Sequence, residues 1–222
     1  MPCLPNFPSQ KSRLTKDIHK FVAINDSQLE RGLGLRRVAF ERISRVVSAL
    51  WPRARVKPYG SYVTGLAIPS SDFDVVIVLP AVHKRAIVET PGILEGRNAI
   101  KETWQASLAR KLRGENWVRS KKTKIIERTL IPVIKITTLD NLELDISFET
   151  EEHQGLMNIE LVKEFLAEFG HARPLILVLK QFLHNSGLLT AYSGGLSSYG
   201  LFLMVIRYLQ EQVFSSGMDV GR

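Results

Sequence analysis

The spacing of hydrophobic residues changes period along this chain, and the changes mark its elements. Leu14, Ile18, Phe21 and Val22 recur at helical spacing and predict a short helix over Leu14–Ile24. Gln28–Gly34 reads as a break. Leu35, Val38, Ala39, Val46, Val47 and Leu50 then predict a second helix, which Trp51-Pro52 ends. In the middle of the chain the apolar runs are short and rich in β-branched residues, as in strands. Ala54–Lys57 predicts a strand leading into Pro58-Tyr59-Gly60, and Val75-Val76-Ile77-Val78-Leu79 predicts a buried one. Leu130–Thr137 and Leu142–Phe148 flank a turn at Leu139-Asp140-Asn141 and predict a hairpin. In its second strand Leu142, Leu144, Ile146 and Phe148 alternate with Glu143, Asp145 and Ser147, so one face is apolar and the other polar. Between the strands, His83–Val88 and Ala99–Leu112 suggest helical pieces around a turn at Thr90-Pro91-Gly92.

From Asn158 onward the period is helical. Ile159–Phe169 is amphipathic, and Leu175–Ser186 has Pro174 in its first turn and Gly187 at its end. A loop at Tyr192–Gly195 precedes a last helix that starts near Ser197 or Ser198 and runs through Gln212. Residues 1–12 read as a loose lead-in and the residues after Gln212 as a ragged end. The order predicts an α/β block over 35–155 and a helical partner made from 13–34 and 156–222.

A hydrophobic share of 45% over 222 residues is enough for one large or two modest globular domains and excludes a disordered chain. The net charge of +8 points to a polyanionic partner such as nucleic acid. Residues 1–60 hold twelve Lys and Arg against four Asp and Glu, so much of that charge sits there. Arg110–Arg128 is also basic, with Trp117 among its cations. That pattern suits either a nucleic-acid strand or a solvated face over one core Trp. Cys3 is the single cysteine, so no internal disulfide forms, which fits a reducing compartment. The apolar runs are too short to span a bilayer, and the N-terminal stretch lacks a signal core. The expectation is an intracellular, soluble protein with no membrane partner.

The chemistry centres on Gly60–Leu79. Asp72 and Asp74 stand two residues apart at the mouth of the buried strand, so their side chains share a face. Two carboxylates about 4 Å apart repel by roughly 4 kcal/mol at an effective dielectric of 20. Either one is protonated or a cation lies between them. Oxygen ligands favour Mg²⁺ or Mn²⁺. The polar face of the hairpin strand can add Asp145 as a third carboxylate, the minimum for a two-metal phosphoryl or nucleotidyl transfer site. Gly60-Ser61, at the start of a short helix, fits a triphosphate. Lys180 lies within an apolar helix and needs a negative partner, which a phosphate could be; alone, it also reads as a snorkelling lysine. Ser198 and Tyr199, at a helix start, could bind phosphate and stack on a base, although Tyr199 alone reads sooner as a core aromatic. The five histidines show no ligand spacing.

Gly60-Ser61…Asp72-x-Asp74…Asp145 resembles the DNA polymerase β-type nucleotidyltransferase superfamily. The longer strings YGSYVTGLAIPSSDFDVVI, IPVIKI…LELDISFE, LILVLKQFL and SGGLSSYGLFLMVIRYLQ resemble the noncanonical poly(A) polymerases and their terminal uridylyltransferase relatives, closest to the nuclear Trf type. The resemblance covers roughly Leu14 to Gln212, with a variable insert around 80–118. It implies an α/β (α+β) nucleotidyltransferase domain with a mixed sheet, over 35–155. It also implies a mostly helical PAP-associated central domain, over 13–34 and 156–222, that is incomplete at the C-terminus. It implies an enzyme that adds nucleotides from ATP or UTP to RNA 3′ ends with Mg²⁺ or Mn²⁺, in the nucleus or else the cytoplasm. An accessory RNA-binding subunit would be a partner. By motif Asp72, Asp74 and Asp145 match the metal triad. Gly60 and Ser61 match the triphosphate turn, Lys180 and Ser198 further triphosphate contacts, and Tyr199 the base-stacking ring. His184 stands where uridylyltransferases often have a second phosphate-binding lysine, which leans toward adenylyl transfer.

Family members continue well past Arg222, so apolar surface at Phe202, Leu203, Val205 and Ile206 is expected to lack its partners. Other readings of the same residues are a terminal uridylyltransferase, an enzyme of this fold with another acceptor, and a catalytically silent RNA-binding or scaffold fragment.

Overall fold

The computed structural model describes residues 13–80, 103–127, 129, 131–150, 155–190 and 194–215. The lead-in 1–12, the helix expected at His83–Val88, the Thr90-Pro91-Gly92 turn, the Tyr192-Ser193 part of the loop and the tail from 216 lie outside them. The chain divides into two compact units. Arg31–Glu168 forms one, and the described parts of 1–30 and 169–222 form the other.

The larger unit is built on five strands: β1 (Arg55–Pro58), β2 (Phe73–Val78), β3 (Lys124–Ile126), β4 (Val133–Thr137) and β5 (Glu143–Phe148). Their order across the sheet is β1-β2-β5-β4-β3. β2 and β5 run parallel, and the other neighbours are antiparallel, so the sheet is mixed. β4 and β5 form the expected hairpin. Asn141 turns the corner with φ 61°, a left-handed conformation that Asn tolerates, and the Thr138 N–H donates to the Leu142 carbonyl at 2.9 Å.

Strand alternation sends Phe73, Val75, Ile77, Ile134, Ile136, Leu144, Ile146 and Phe148 to one face, where they form the core with helices α2 (Leu33–Leu50) and α4 (Trp104–Arg113). Asp74, Lys135 and Asp145 fall on the other face. α3 (Ser61–Thr64) is a single turn, and α5 (Gly155–Glu168) packs against it. The order of elements along the chain groups 156–168 with the helical partner; the compact unit instead keeps α5 with the sheet.

Helix α1 spans Arg13–Arg31, and the break expected over Gln28–Gly34 narrows to Gly32. Ser27 to Glu30 contain no helix breaker, so the helix continues through them. The buried stripe of α2 is also rotated from the expected one. Leu35 and Val38 are exposed, and Arg36, Ala39, Ile43, Val46 and Val47 are buried. Arg36 takes the inward position because its guanidinium lies over the Tyr62 ring, 4.2 Å from the centroid.

The smaller unit joins α1 to α6 (Ala172–Asn185) and α7 (Ser198–Ser215). Gly187, with φ 70°, closes α6 as expected. The Ser197 hydroxyl accepts from the Gly200 N–H at 2.9 Å and starts α7. Phe202, Val205 and Ile206 are buried; of the four apolar residues expected to be left bare, only Leu203 is exposed. No helix among the described residues is long and apolar enough to cross a membrane.

A bidentate ion pair ties the two ends of this discontinuous unit. Arg173 donates to Asp26 Oδ1 at 2.6 Å and to Oδ2 at 3.2 Å. Its hydrogen bonds hold the Asp26 carboxyl below the usual range, against the burial that would raise it. A depressed carboxylate contributes stability above its ordinary pKa and loses it as pH falls through the lower folded value. Asp26→Asn should therefore cost about 0.2–1 kcal/mol at neutral pH, since the pair is partly exposed. It should also flatten the fall in stability below about pH 4. Urea unfolding at neutral and acid pH checks this, and parallel loss in both proteins would show the pair to be idle.

Candidate active site

The register of three strands assembles the site. In the parallel pair β2–β5, Asp74 is opposite Asp145, and in the antiparallel pair β5–β4, Asp145 is opposite Lys135. Asp74, Asp145 and Lys135 thus form one row across the polar face. Asp72 lies one residue before β2, in line with Asp74. The Lys135 ammonium reaches both outer carboxylates, at 2.7 Å from Asp145 Oδ2 and 2.9 Å from Asp72 Oδ2.

This row sets the local electrostatics. Burial pushes the Asp145 carboxyl up to about 6, the Asp72 charge pushes the same way, and Lys135 opposes both. Burial alone would lower Lys135, but its hydrogen bonds and charge contacts with Asp145 and Asp72 more than offset that and raise it. Tyr59, which accepts from the Ser147 hydroxyl at 3.3 Å, is pushed up to about 12 by burial and then by the charge of Asp74.

Asp74 faces the Gly60 turn. The Tyr59 N–H donates to the Asp74 carbonyl at 3.1 Å, which ties the turn to β2. Gly60 has φ 72° and ψ −150°, a region open essentially to glycine alone. A Cβ there would lie 2.8 Å from Asp74 Cγ. The missing side chain is what lets the carboxylate lie against the backbone. Gly65, at φ 75°, ends α3, and the Thr64 hydroxyl donates to the Gly60 carbonyl at 3.2 Å. Tyr62 packs edge-on to Phe73 at 5.7 Å between ring centroids. Gly60→Ala should destabilise the protein by about 1–3 kcal/mol. It should also displace Asp74, so that activity falls much further than stability does. A variant with normal turnover would show that the turn does not position Asp74.

The residues singled out in the sequence divide between the units. Asp72, Asp74, Asp145, Gly60 and Ser61 come together in the sheet unit. Lys180, Ser198 and Tyr199 belong to the helical unit. Lys180 is only 3% exposed and lies on the buried face of α6 with Ile176 and Leu177, so it does not snorkel. Ser198 opens α7. Tyr199 is 36% exposed and stacks on Phe202 at 5.9 Å, with 25° between the rings.

Lys135 was missed by sequence reasoning. Its signal was a lone cation in the apolar run LIPVIKIT, at the same alternation phase as the polar residues of the partner strand. Among the described residues no three carboxylate, imidazole or thiol side chains converge as a ready-made metal cage. The donor chemistry still fits a hard divalent cation. Two carboxylate oxygens already converge on one cationic point, and a third carboxylate is next to them in the row.

The basic stretch of Arg110–Arg128 has a different outcome. Trp117 is 7% exposed, belongs to the core and donates from Nε1 to Glu115 at 3.2 Å, so its ring is not free to stack on a base. Arg42, whose guanidinium is 5.7 Å from that ring, lines a cavity of about 320 Å³ with Arg45, Lys111 and Glu115, on the α2–α4 side of the sheet.

The family model described as poly(A) RNA polymerase, mitochondrial-like, central palm domain matches residues 14–167. Over 184 residues the chain is 33% identical to the inactive poly(A) RNA polymerase protein Trf4-2 of Drosophila melanogaster, covering 82% of this chain and 40% of that protein. It is 31% identical over 211 residues to poly(A) RNA polymerase protein 1 of Saccharomyces cerevisiae, covering 93% and 30%. The polymerase core of TRAMP, an RNA surveillance complex, superimposes with a TM-score of 0.71 at 26% identity, over 91% of this chain and 57% of that one. The chain thus spans less than half the length of these curated relatives.

Proposed function

This chain belongs to the family of the poly(A) RNA polymerase, mitochondrial-like, central palm domain, and on that premise we propose that it carries the transfer site of a template-independent RNA 3′-end nucleotidyltransferase. Adenylyl transfer from ATP is the favoured reaction. The observation that carries the proposal is the row of Asp74, Asp145 and Lys135 with Asp72, beside the glycine turn at Gly60.

In this reading Asp72, Asp74 and Asp145 hold divalent metal, Mg²⁺ or Mn²⁺. A divalent cation bound there would polarise the attacking 3′-hydroxyl and steady the leaving pyrophosphate. The sheet contributes position: Asp74 and Asp145 are fixed by ladder pairing, and Gly60 lets the triphosphate turn approach them. Ser61 offers its hydroxyl and backbone N–H at the open end of α3. Lys180 and Ser198 are the proposed further contacts to the triphosphate, and Tyr199 is the proposed platform for the base. A buried cation, a hydroxyl at a helix start and a partly exposed ring support those roles.

The RNA acceptor is supported by the cationic cavity on the α2–α4 side, where Arg42, Arg45 and Lys111 face one acidic residue, Glu115. Each phosphate contact on a single strand adds about 0.7 to the slope of log affinity against log salt. Changing Arg42, Arg45 and Lys111 to Gln should lower that slope by about 2, read by fluorescence anisotropy with a labelled RNA. An unchanged slope would place the RNA elsewhere.

The test of the whole reading is incubation of the full-length protein with an RNA primer, Mg²⁺ or Mn²⁺, and each nucleoside triphosphate in turn. Extension by ATP supports the proposal. Extension by UTP alone makes the protein a uridylyltransferase. The silent-scaffold reading draws on the inactive Drosophila relative. It would be favoured by no extension together with no metal-dependent binding of a nonhydrolysable nucleotide. A nuclear location and an accessory RNA-binding subunit belong to the same proposal, and the membership of the similar polymerase core in a surveillance complex supports the subunit.

A further inference from the structure

We propose that Lys135 is a built-in placeholder for the metal: its ammonium bridges Asp72 and Asp145 in the metal-free protein and must leave before those oxygens can hold a divalent cation. The inference rests on the reading of these carboxylates as metal ligands.

The geometry leaves little choice of position. Lys135 and Asp145 are directly opposed in the β4–β5 ladder, so the ammonium is delivered to Asp145 by register. It also bridges to Asp72, two strands away, with contacts of 2.7 and 2.9 Å to one oxygen of each carboxylate. A magnesium ion sits about 2.0–2.1 Å from its oxygen ligands. An ion at that distance from the same two oxygens would lie against the ammonium, with charges of the same sign. Both cannot be held there at once.

Lys135 is able to leave. Its side chain is 36% exposed, and a lysine stem is flexible where an arginine fork is not. The arrangement has a cost and a benefit. Without Lys135, Asp72 and Asp145 would lose the ammonium that joins them, and their mutual repulsion would weigh on the metal-free protein. With it, part of that negative charge is balanced before any ion arrives, and metal must compete for the site. Lys135 is therefore a positioning residue: it sets how tightly the empty site binds metal, and it touches the carboxylates through which it acts.

The experiment measures Mn²⁺ binding to the nucleotide-free, full-length protein by the loss of the free-ion EPR signal. Wild type, Lys135→Met, Lys135→Arg and Asp145→Asn are compared. Lys135→Met should bind Mn²⁺ about tenfold tighter or more, and its melting temperature in EDTA should fall and be restored by Mn²⁺. Lys135→Arg, whose fork is harder to displace, should bind Mn²⁺ no tighter than wild type. Equal Mn²⁺ affinity in wild type and Lys135→Met, with loss in Asp145→Asn, would overturn the placeholder and leave the metal site standing. Absence of Mn²⁺ binding in all four would overturn both.

A second measurement needs no variant, in case Lys135→Met does not fold. Acylation of wild-type lysines, read by peptide mass spectrometry, should modify Lys135 slowly in EDTA and several-fold faster with Mn²⁺, as the released ammonium loses its two acceptors. Labelling that Mn²⁺ leaves unchanged overturns the placeholder.

Discussion

Asp74→Ala should lower nucleotide addition by the full-length protein by about 10³-fold or more, since it removes one of the carboxylates proposed to hold metal. Asp74 lies against the Gly60 turn on the polar side of β2. Val75, Val76 and Ile77, which anchor the strand, are untouched by the change. The loss should therefore appear in turnover and not in folding. Removing the carboxylate leaves Asp72 and Asp145 bridged by Lys135, with no third carboxylate beside them in the row. Primer extension under single-turnover conditions, with circular dichroism as the control for folding, reads the effect. An Asp74→Ala protein that extends RNA within about tenfold of wild type would sink the metal-triad proposal.

Phe148→Ala should have the opposite signature, costing about 3–5 kcal/mol of stability. Phe148 ends β5 and is 2% exposed. Its ring meets Trp51 edge-on at 5.6 Å and Trp104 at 5.9 Å with 39° between the planes. Trp51 closes α2 and Trp104 opens α4, so one ring fastens both helices to the sheet. Two large indoles held by their own helices cannot collapse into the space it would leave, which places the expected cost at the high end for a core truncation. Against a total stability of about 5–15 kcal/mol, that loss is a large share. Urea unfolding measures it. A shift of less than about 1 kcal/mol would mean the helices are held by other contacts.

Strand β5 was legible because its alternation is clean: Leu144, Ile146 and Phe148 went to the core and Asp145 to the polar face. The Gly60 turn was legible because a glycine before a helical turn has few alternatives. The inward face of α2 was not, because an arginine in the buried position reads as solvent-facing until Tyr62 is seen beneath it. Trp117 could be read as a stacking ring or as core, and only its packing under Arg42 decided for the core. The placement of α5 also escaped, since an amphipathic helix declares that it has a partner and does not say which.

By itself the sequence determined the elements, the faces of the strands and the identity of the carboxylates, since these depend on spacings of two to four residues that local geometry converts directly into direction. It also determined that close carboxylates would need either a proton or a cation. Which cation stands between them was decided only by the tertiary structure. Lys135 reaches Asp72 across 63 positions of chain because β4, β5 and β2 pair in one particular register. A slip of one residue in either ladder would turn the ammonium to the other face. Register between strands is set by the packing of the whole core, and no local pattern contains it.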